Sequence, residues 1–239
     1  MKVISFSLWG SNPTYTVGAI KNAVIASALF PDWVCVYYCF DSVPLSILGR
    51  LRAMRNVQVR MVLDSHDILD NRGLFHRFLP SDEPGVEYMM CRDTDSRLSE
   101  RELYAVREWL TGGADLHVMR DHPYHRVPIL GGMWGVRGGR LNRIREQIRA
   151  FCPTKAKGQD QVFLKDWVWP KIISGELTAM IHDPFFSKHS FPSEAKRGID
   201  NGGVGVVGQV FDEIDRVVNQ TDIDILVNAE SGEPKNFIN

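Results

Sequence analysis

The chain has 239 residues, the size of one large domain or two small ones. Its hydrophobic fraction of 44% and charged fraction of 24% are ordinary for a globular protein, and its formal net charge is −1. This balance argues against a nucleic-acid-binding protein that relies on bulk positive charge. No apolar run reaches the roughly 18 residues of a transmembrane helix, and no signal peptide is indicated, so we expect a cytoplasmic protein.

Strand-like and helix-like segments alternate along the chain. The apolar and β-branched runs predict strands at 2–8, 33–40, 57–63, 86–91, 116–119 and 177–181. Apolar residues at helical spacing predict helices at 17–30, 44–55, 99–112, 141–151 and 160–170. Ser99 and Glu102 have the spacing of a capping box at the start of the third helix. This alternation predicts one α/β domain with a central, mostly parallel sheet.

In such sheets, ligands bind beyond the carboxyl ends of the strands, so residues that follow a strand are the candidates for function. The clearest of them are Asp93 and Asp95, two carboxylates separated by one residue after a buried strand. Mg²⁺ takes one or two carboxylates together with substrate phosphates, and Mn²⁺ suits the same ligands. The pair therefore predicts a metal bridge to a diphosphate. The alternative is a pair of solvated or helix-capping aspartates.

The segment 117–125 is rich in polar and aromatic groups, and its residues from Arg120 onward follow a predicted strand. Asp121 and His122 are candidates for orienting a polyhydroxyl substrate, whereas the His122–His125 spacing leaves zinc as an alternative. Gly132 lies in the glycine-rich run 128–135, where a backbone without Cβ atoms can approach a ligand closely. A tight turn is the alternative for that run.

Two later positions complete the candidates. Asp160 is either the N-cap of the following helix or a group at the rim of the site, near the acceptor or the reacting carbon. His182 ends the last predicted core strand, where an imidazole can complete Mn²⁺ coordination beside carboxylates. His189 is the competing choice for that ligand, and a surface histidine is the alternative for both.

Together these pieces resemble the metal-dependent, nucleotide-sugar-using glycosyltransferases of the GT-A fold, in particular the small ones of large chlorella viruses and bacterial surface-glycan clusters. The resemblance covers most of residues 1–210. It depends on seven stretches, 77–79, 91–101, 119–125, 129–135, 160–161, 182–183 and 191–192. Pro184 departs from the family pattern, which usually has serine there.

The resemblance implies a GT-A domain at 1–210 with a Rossmann-like nucleotide half, and a C-terminal extension at 211–239 with no assigned role. It implies that Asp93 and Asp95 bind Mn²⁺ or Mg²⁺ and the diphosphate of the donor. It implies that Ser7, Leu8, Trp9 and Arg77 lie by the nucleotide.

The resemblance further implies that Asp121, His122 and the turn at 131–135, which includes Gly132, face the donor sugar. His182 would lie near the metal or the phosphates. The expected reaction moves a hexose from a UDP-sugar, such as UDP-glucose, to a hydroxyl of a glycan or glycoprotein acceptor, in the host cytoplasm if the protein is viral.

The mechanism and two rival functions stay open at this point. Inversion needs a carboxylate base, for which Asp160 and Asp121 are the candidates, whereas retention needs a front-side or double-displacement route. The rival functions are a metal-dependent phosphohydrolase and a non-catalytic module that binds nucleotide-sugars.

Overall fold

The central element of the chain is one mixed, seven-stranded β-sheet. The structure, a computed structural model, describes residues 1–62, 71–187, 189–197, 199–200, 203–219 and 225–226. The strands are β1 (Lys2–Leu8), β2 (Trp33–Phe40), β3 (Val57–Val62), β4 (Tyr88–Cys91), β5 (Leu116–Met119), β6 (Trp134–Arg137) and β7 (Ala179–His182). The α/β prediction is therefore confirmed, and the predicted bounds of β1, β2 and β5 match the observed ones.

Helices connect these strands. They are α1 (Pro13–Leu29), α2 (Leu45–Arg52), α3 (Glu100–Gly112), α4 (Ile144–Phe151), α5 (Gln159–Phe163) and α6 (Trp169–Ile173). A π-helical turn, Leu164–Val168, joins α5 to α6, and a 3₁₀ helix, Asn71–Asp82, precedes β4. None of the helices within the described ranges is long and apolar enough to span a membrane.

Two helix starts show how local sequence sets the elements. Helix α1 begins four residues earlier than predicted, because Asn12 caps it by accepting a hydrogen bond from the Thr14 amide at 3.0 Å. Ser99 caps α3 as predicted, with its hydroxyl accepting from the Glu102 amide at 3.2 Å. The carboxylate of Glu102 instead forms a buried ion pair with Arg92, so only half of the capping box is present.

The strand order of the sheet is β3-β2-β1-β4-β6-β5-β7. Strand β6 pairs antiparallel with β4 and β5, and the other pairings are parallel. The chain builds from β1 toward β3 in one direction and then crosses to β4 on the other side of β1. The space beyond the carboxyl ends of β1 and β4 is therefore a topological switch point, the usual place for a ligand in open α/β sheets.

Each face of the sheet carries its own hydrophobic cluster. Ile4, Phe6 and Leu8 of β1 face the cluster that includes residues of α1, α2 and α3, whereas Val3 faces the cluster that includes the 3₁₀ helix and α5. This period of two is the alternation expected of a strand covered on both faces. Burial on both faces fixes the register of β1, which ends at the switch point.

Candidate active site

A cavity of about 410 Å³ opens at the carboxyl ends of β1 and β4. A volume of this size falls in the range of about 300–1,000 Å³ that is typical of small-molecule sites. Eight residues that the sequence singled out line it together, namely Ser7, Leu8, Trp9, Arg77, Asp93, Asp95, Gly132 and Asp160. The cavity thus collects side chains from β1, the 3₁₀ helix, the turn after β4, the turn before β6, and α5.

The two carboxylates after β4 both reach the cavity. The Asp93 side chain is 43% exposed, and Asp95 is half-buried. Burial, and secondarily the neighbouring charge of Asp93, raise the pKa of Asp95 to about 6. The two neighbouring carboxylates form a centre of negative charge that a cation stabilises.

A buried arginine organises the floor of this centre. The guanidinium of Arg77, whose side chain is 3% exposed, donates to Asp93 through Nη1 and to Asp160 Oδ2 through Nη2 at 2.9 Å. Burial acts to lower the pKa of Arg77, but the two carboxylates outweigh it and hold that pKa above its ordinary value. Arg77 is therefore a fixed positive charge that connects the turn after β4 to α5.

Two consecutive glycines allow these carboxylates to lie against the backbone. A Cβ atom added at Gly131 would lie 2.0 Å from Asp160 Oδ2, and one added at Gly132 would lie 1.9 Å from Asp93 Oδ2. Real Cβ atoms do not approach oxygen so closely, so any other residue at either position would displace a carboxylate. The close approach expected at Gly132 is thus made by a carboxylate of the chain itself.

Asp160 does not cap the helix that follows it. Gly158 occupies the N-cap of α5, with φ at +80° and no side-chain capping bond. The Asp160 carboxylate faces Arg77 instead, and its side chain is 4% exposed. Of the two alternatives that the sequence left open, the N-cap is therefore wrong, and Asp160 lines the cavity instead.

Asp121 and His122 lie outside the cavity lining. Asp121 is completely buried, and Arg101 and Arg197 each approach its carboxylate to 2.8 Å. The amide of Val207 also donates to Asp121 Oδ2 at 3.0 Å. With these donors around it, the carboxylate serves as an anchor inside the fold, and nothing leaves it open toward a substrate.

His125, three residues after His122, is the histidine of this segment that lines the cavity. Its Nδ1 accepts a hydrogen bond from the Asp121 amide at 3.0 Å. Burial, followed by the charge of His122, lowers the pKa of His125 to about 4. The imidazole is thus neutral near pH 7.

His182 also lies elsewhere. Its Nδ1 is 2.8 Å from His117 Nε2, and its Nε2 is 3.1 Å from Glu108 Oε2. Three strand spacings separate β7 from β4, or about 14 Å at 4.8 Å each. Burial lowers the pKa of His182 despite Glu108. His182 is thus placed away from Asp93 and Asp95 and is not grouped with them as a third metal ligand.

The donor set at the cavity fits a hard divalent cation. Within the described ranges, no group of three or more His, Cys, Asp or Glu side chains is arranged to hold a metal ion. Two carboxylates alone match Mg²⁺ or Mn²⁺, which complete their octahedron with water and substrate oxygens rather than with a full protein cage. Asp93 and Asp95, both open to the cavity, would hold such an ion.

Several residues of the lining were not anticipated from the sequence. Tyr15, in the first turn of α1, lines the cavity, and burial followed by the charges of Asp95 and Asp93 raises its pKa. The Asn12-Pro13 capping signal could have placed it there. Lys157 and Gly208 also line the cavity, although no motif marks either of them.

Part of the C-terminal segment packs directly beside the carboxylate pair. The amide of Phe211 donates to the carbonyl of Asp95 at 2.8 Å, and Val210 forms an antiparallel bridge with Ser96. Asp215 pairs with Arg97 at 2.9 Å. Residues 211–219, which belong to the expected extension, thus contact the domain next to its candidate site, whereas most of 220–239 lies outside the described residues.

No family model and no curated protein matches the sequence. Among solved structures, the chain is similar to a glycosyltransferase involved in glycosylation of the major capsid of PBCV-1, with 15% identity, 77% of this chain and 82% of that chain covered, and a TM-score of 0.48. It is similar to S. aureus TarS 1–349, with 13% identity, 80% and 58% covered, and a TM-score of 0.48. It is also similar to the galactosyltransferase LgtC in complex with donor and acceptor sugar analogues, with 13% identity, 78% and 74% covered, and a TM-score of 0.43.

The described sheet and cavity by themselves define the class of molecule. It is an α/β protein with a mostly parallel sheet and a cavity at the switch point of that sheet. The cavity carries a pair of carboxylates and a buried, doubly paired arginine.

Proposed function

We propose that this chain is a metal-dependent glycosyltransferase of the GT-A type. It moves a hexose from a UDP-sugar, UDP-glucose or a similar one, to a hydroxyl of a glycan or glycoprotein acceptor. The observation that carries this proposal is the position of Asp93 and Asp95, which follow β4 and open into the cavity at the switch point. The PBCV-1 enzyme and LgtC are named as a glycosyltransferase and a galactosyltransferase, which agrees with it.

Asp93 and Asp95 would hold Mn²⁺ or Mg²⁺. When bound, such an ion neutralises charge that develops on a departing diphosphate. The ion would also offset the negative charge of the cavity, because the described part of its lining carries three carboxylates and two cations, Arg77 and Lys157. A nucleoside diphosphate would otherwise enter a cavity with an excess of one negative charge.

The end of β1 would receive the nucleoside. Trp9 lines the cavity and packs edge-on against Phe40, with ring centroids 6.1 Å apart, so its indole is held in place as apolar surface for a base. Ser7 and Leu8 lie beside it. These groups fit a planar ring near the carboxylates that would hold the metal and diphosphate.

Asp160 is the carboxylate that we propose for the sugar side of the cavity. Arg77 holds it in one orientation, and the Gly131 backbone limits its movement. It would accept a hydrogen bond from a hydroxyl of the donor sugar or, in an inverting reaction, take the proton of the acceptor hydroxyl. Asp121 is not proposed for either role, because its oxygens are already engaged by two arginines and a backbone amide.

The decisive experiment follows UDP release from a panel of UDP-sugars with Mn²⁺, with and without glycan acceptors. Asp95→Asn should lose at least about 100-fold in rate, because it removes one of the two carboxylates proposed to hold an ion that contributes several kcal/mol of charge stabilisation. Asp166→Asn, at an exposed position of the π-helical turn, is the matched control and should keep full activity. Full activity of Asp95→Asn would refute the assignment.

The same panel separates the two rival functions. Hydrolysis of unrelated phosphomonoesters would identify a phosphohydrolase. Saturable binding of UDP-sugars without UDP release, with every acceptor tried, would identify a binding module.

A further inference from the structure

Among the described residues that line the cavity, one cationic side chain is not paired with a carboxylate. Lys157 lines the cavity and is exposed. Arg77, the other cation of the lining, is paired with both Asp93 and Asp160. Among the residues that the structure describes, Lys157 has no ion-pair partner, so its ammonium is available to a ligand.

The backbone on both sides of Lys157 is held in place. The Asn71 side chain donates to the carbonyl of Lys155 at 3.1 Å, which ties the loop to the start of the 3₁₀ helix. After Lys157 the chain passes through the left-handed Gly158 into α5, where Asp160 is buried. The ammonium therefore extends from a fixed point of the rim, three residues before a carboxylate of the site.

The net charge of the described lining shows why this lysine matters to an anionic ligand. Asp93, Asp95 and Asp160 oppose Arg77 and Lys157 in the lining, and His125, with a pKa lowered to about 4, adds no charge at pH 7. A divalent cation changes the excess of one negative charge into an excess of one positive charge. Without Lys157 that positive excess disappears, even with the metal present.

We infer that Lys157 is a binding residue for the diphosphate group of the nucleotide-sugar donor. This inference rests on the proposed function and adds a recognition group to it. An ammonium is a compact point charge with three donors on a flexible stem, which suits a phosphate group better than a neutral hydroxyl of a sugar.

The test compares UDP with uridine, each titrated in the presence of Mn²⁺ by ligand-observed NMR or calorimetry. Lys157→Ala should weaken UDP binding by about 3- to 10-fold, the usual effect of one charge-assisted hydrogen bond at a partly exposed site, and leave uridine binding unchanged. Lys157→Glu should weaken UDP binding further, and Lys157→Arg should retain most of it. The loss in Lys157→Ala should shrink as salt is raised, because screening weakens exposed charge pairs.

Lys155→Ala is the matched control, since it removes a neighbouring exposed lysine that does not line the cavity. Its UDP affinity should equal that of the wild type. Equal affinity of Lys157→Ala and the wild type for UDP would overturn the inference, as would equal losses for UDP and uridine. A wild-type protein that binds no UDP with Mn²⁺ would instead overturn the proposed function, and this result is distinguishable because it appears before any substitution is made.

Discussion

The ion-pair arrangement around Arg77 makes a quantitative prediction about stability. Its guanidinium is buried between a half-exposed carboxylate, Asp93, and a buried one, Asp160. Arg77→Met would leave the Asp160 charge buried without its partner, a change that costs roughly 3–5 kcal/mol in other proteins. The loss at Asp93 adds little, because water solvates that side chain.

A double-mutant cycle of Arg77 and Asp160 tests this reasoning by comparing the two single variants with the double variant. Asp160→Asn removes the buried negative charge while Arg77 keeps its pair with Asp93, so we expect a smaller loss of about 1–2 kcal/mol. The double variant Arg77→Met, Asp160→Asn buries no unpaired charge, and it should be more stable than the sum of the single effects by at least about 2 kcal/mol.

The assay is urea unfolding followed by tryptophan fluorescence and circular dichroism, with the free energy of unfolding taken only where both probes and the m-values agree. Single effects that add within about 0.5 kcal/mol would refute the reasoning, because neighbours that share a charge pair do not behave independently. A loss below about 1 kcal/mol for Arg77→Met would do the same.

Three further substitutions test other parts of the structure. Burial, followed by the charge of His182, holds the pKa of His117 well below 6.5. As the pH falls, this histidine therefore takes up a proton in the unfolded chain before it does so in the folded one. The free energy of unfolding should then decrease below pH 6.5 by about 1.4 kcal/mol per pH unit. His117→Phe should reduce the slope of unfolding free energy against pH between about 7 and 5, and an unchanged slope would contradict this. Gly132→Ala should weaken Mn²⁺ binding at least about 10-fold in a titration, because its Cβ would lie 1.9 Å from a carboxylate oxygen of Asp93. Gly49→Ala, with nothing within 4 Å, is its control. Ser99→Ala should cost about 1 kcal/mol of unfolding free energy by removal of the α3 cap, and a loss below about 0.3 kcal/mol would refute that role.

Most strands of the sheet could be predicted because their own residues have the pattern of a strand. The strand segments 2–8 and 33–40 are mainly apolar and aromatic, each with two β-branched residues, and both have the predicted bounds. The carboxyl end of β4 could also be located, and with it the position of Asp93 and Asp95 directly after that strand. Both conclusions need only a strand and the chain direction.

Elements defined by distant contacts were missed. Strand β6 has only four residues and is stabilised by antiparallel pairing with β4 and β5. The glycine-rich run 128–135, in which it begins, has the sequence pattern of a turn and not of a strand. The 3₁₀ helix Asn71–Asp82 contains Pro80 and has no helical apolar period to announce it. Arg77 could still be marked as a candidate, but only through the family resemblance and not through its local pattern.

The contrast between Asp93 and Asp121 shows why residue type and strand position do not decide a function. Both follow a strand of the sheet, and both contact arginine. Asp121 lies under the segment that supplies Arg197, which closes over it and leaves no exposed oxygen. Asp93 receives one arginine from below and remains 43% exposed toward the cavity. The two carboxylates therefore differ in the number of donors that the rest of the chain brings to them, and for Asp121 those donors lie up to 86 residues away. The difference between Asp93 and Asp121 can therefore be seen only in the folded structure.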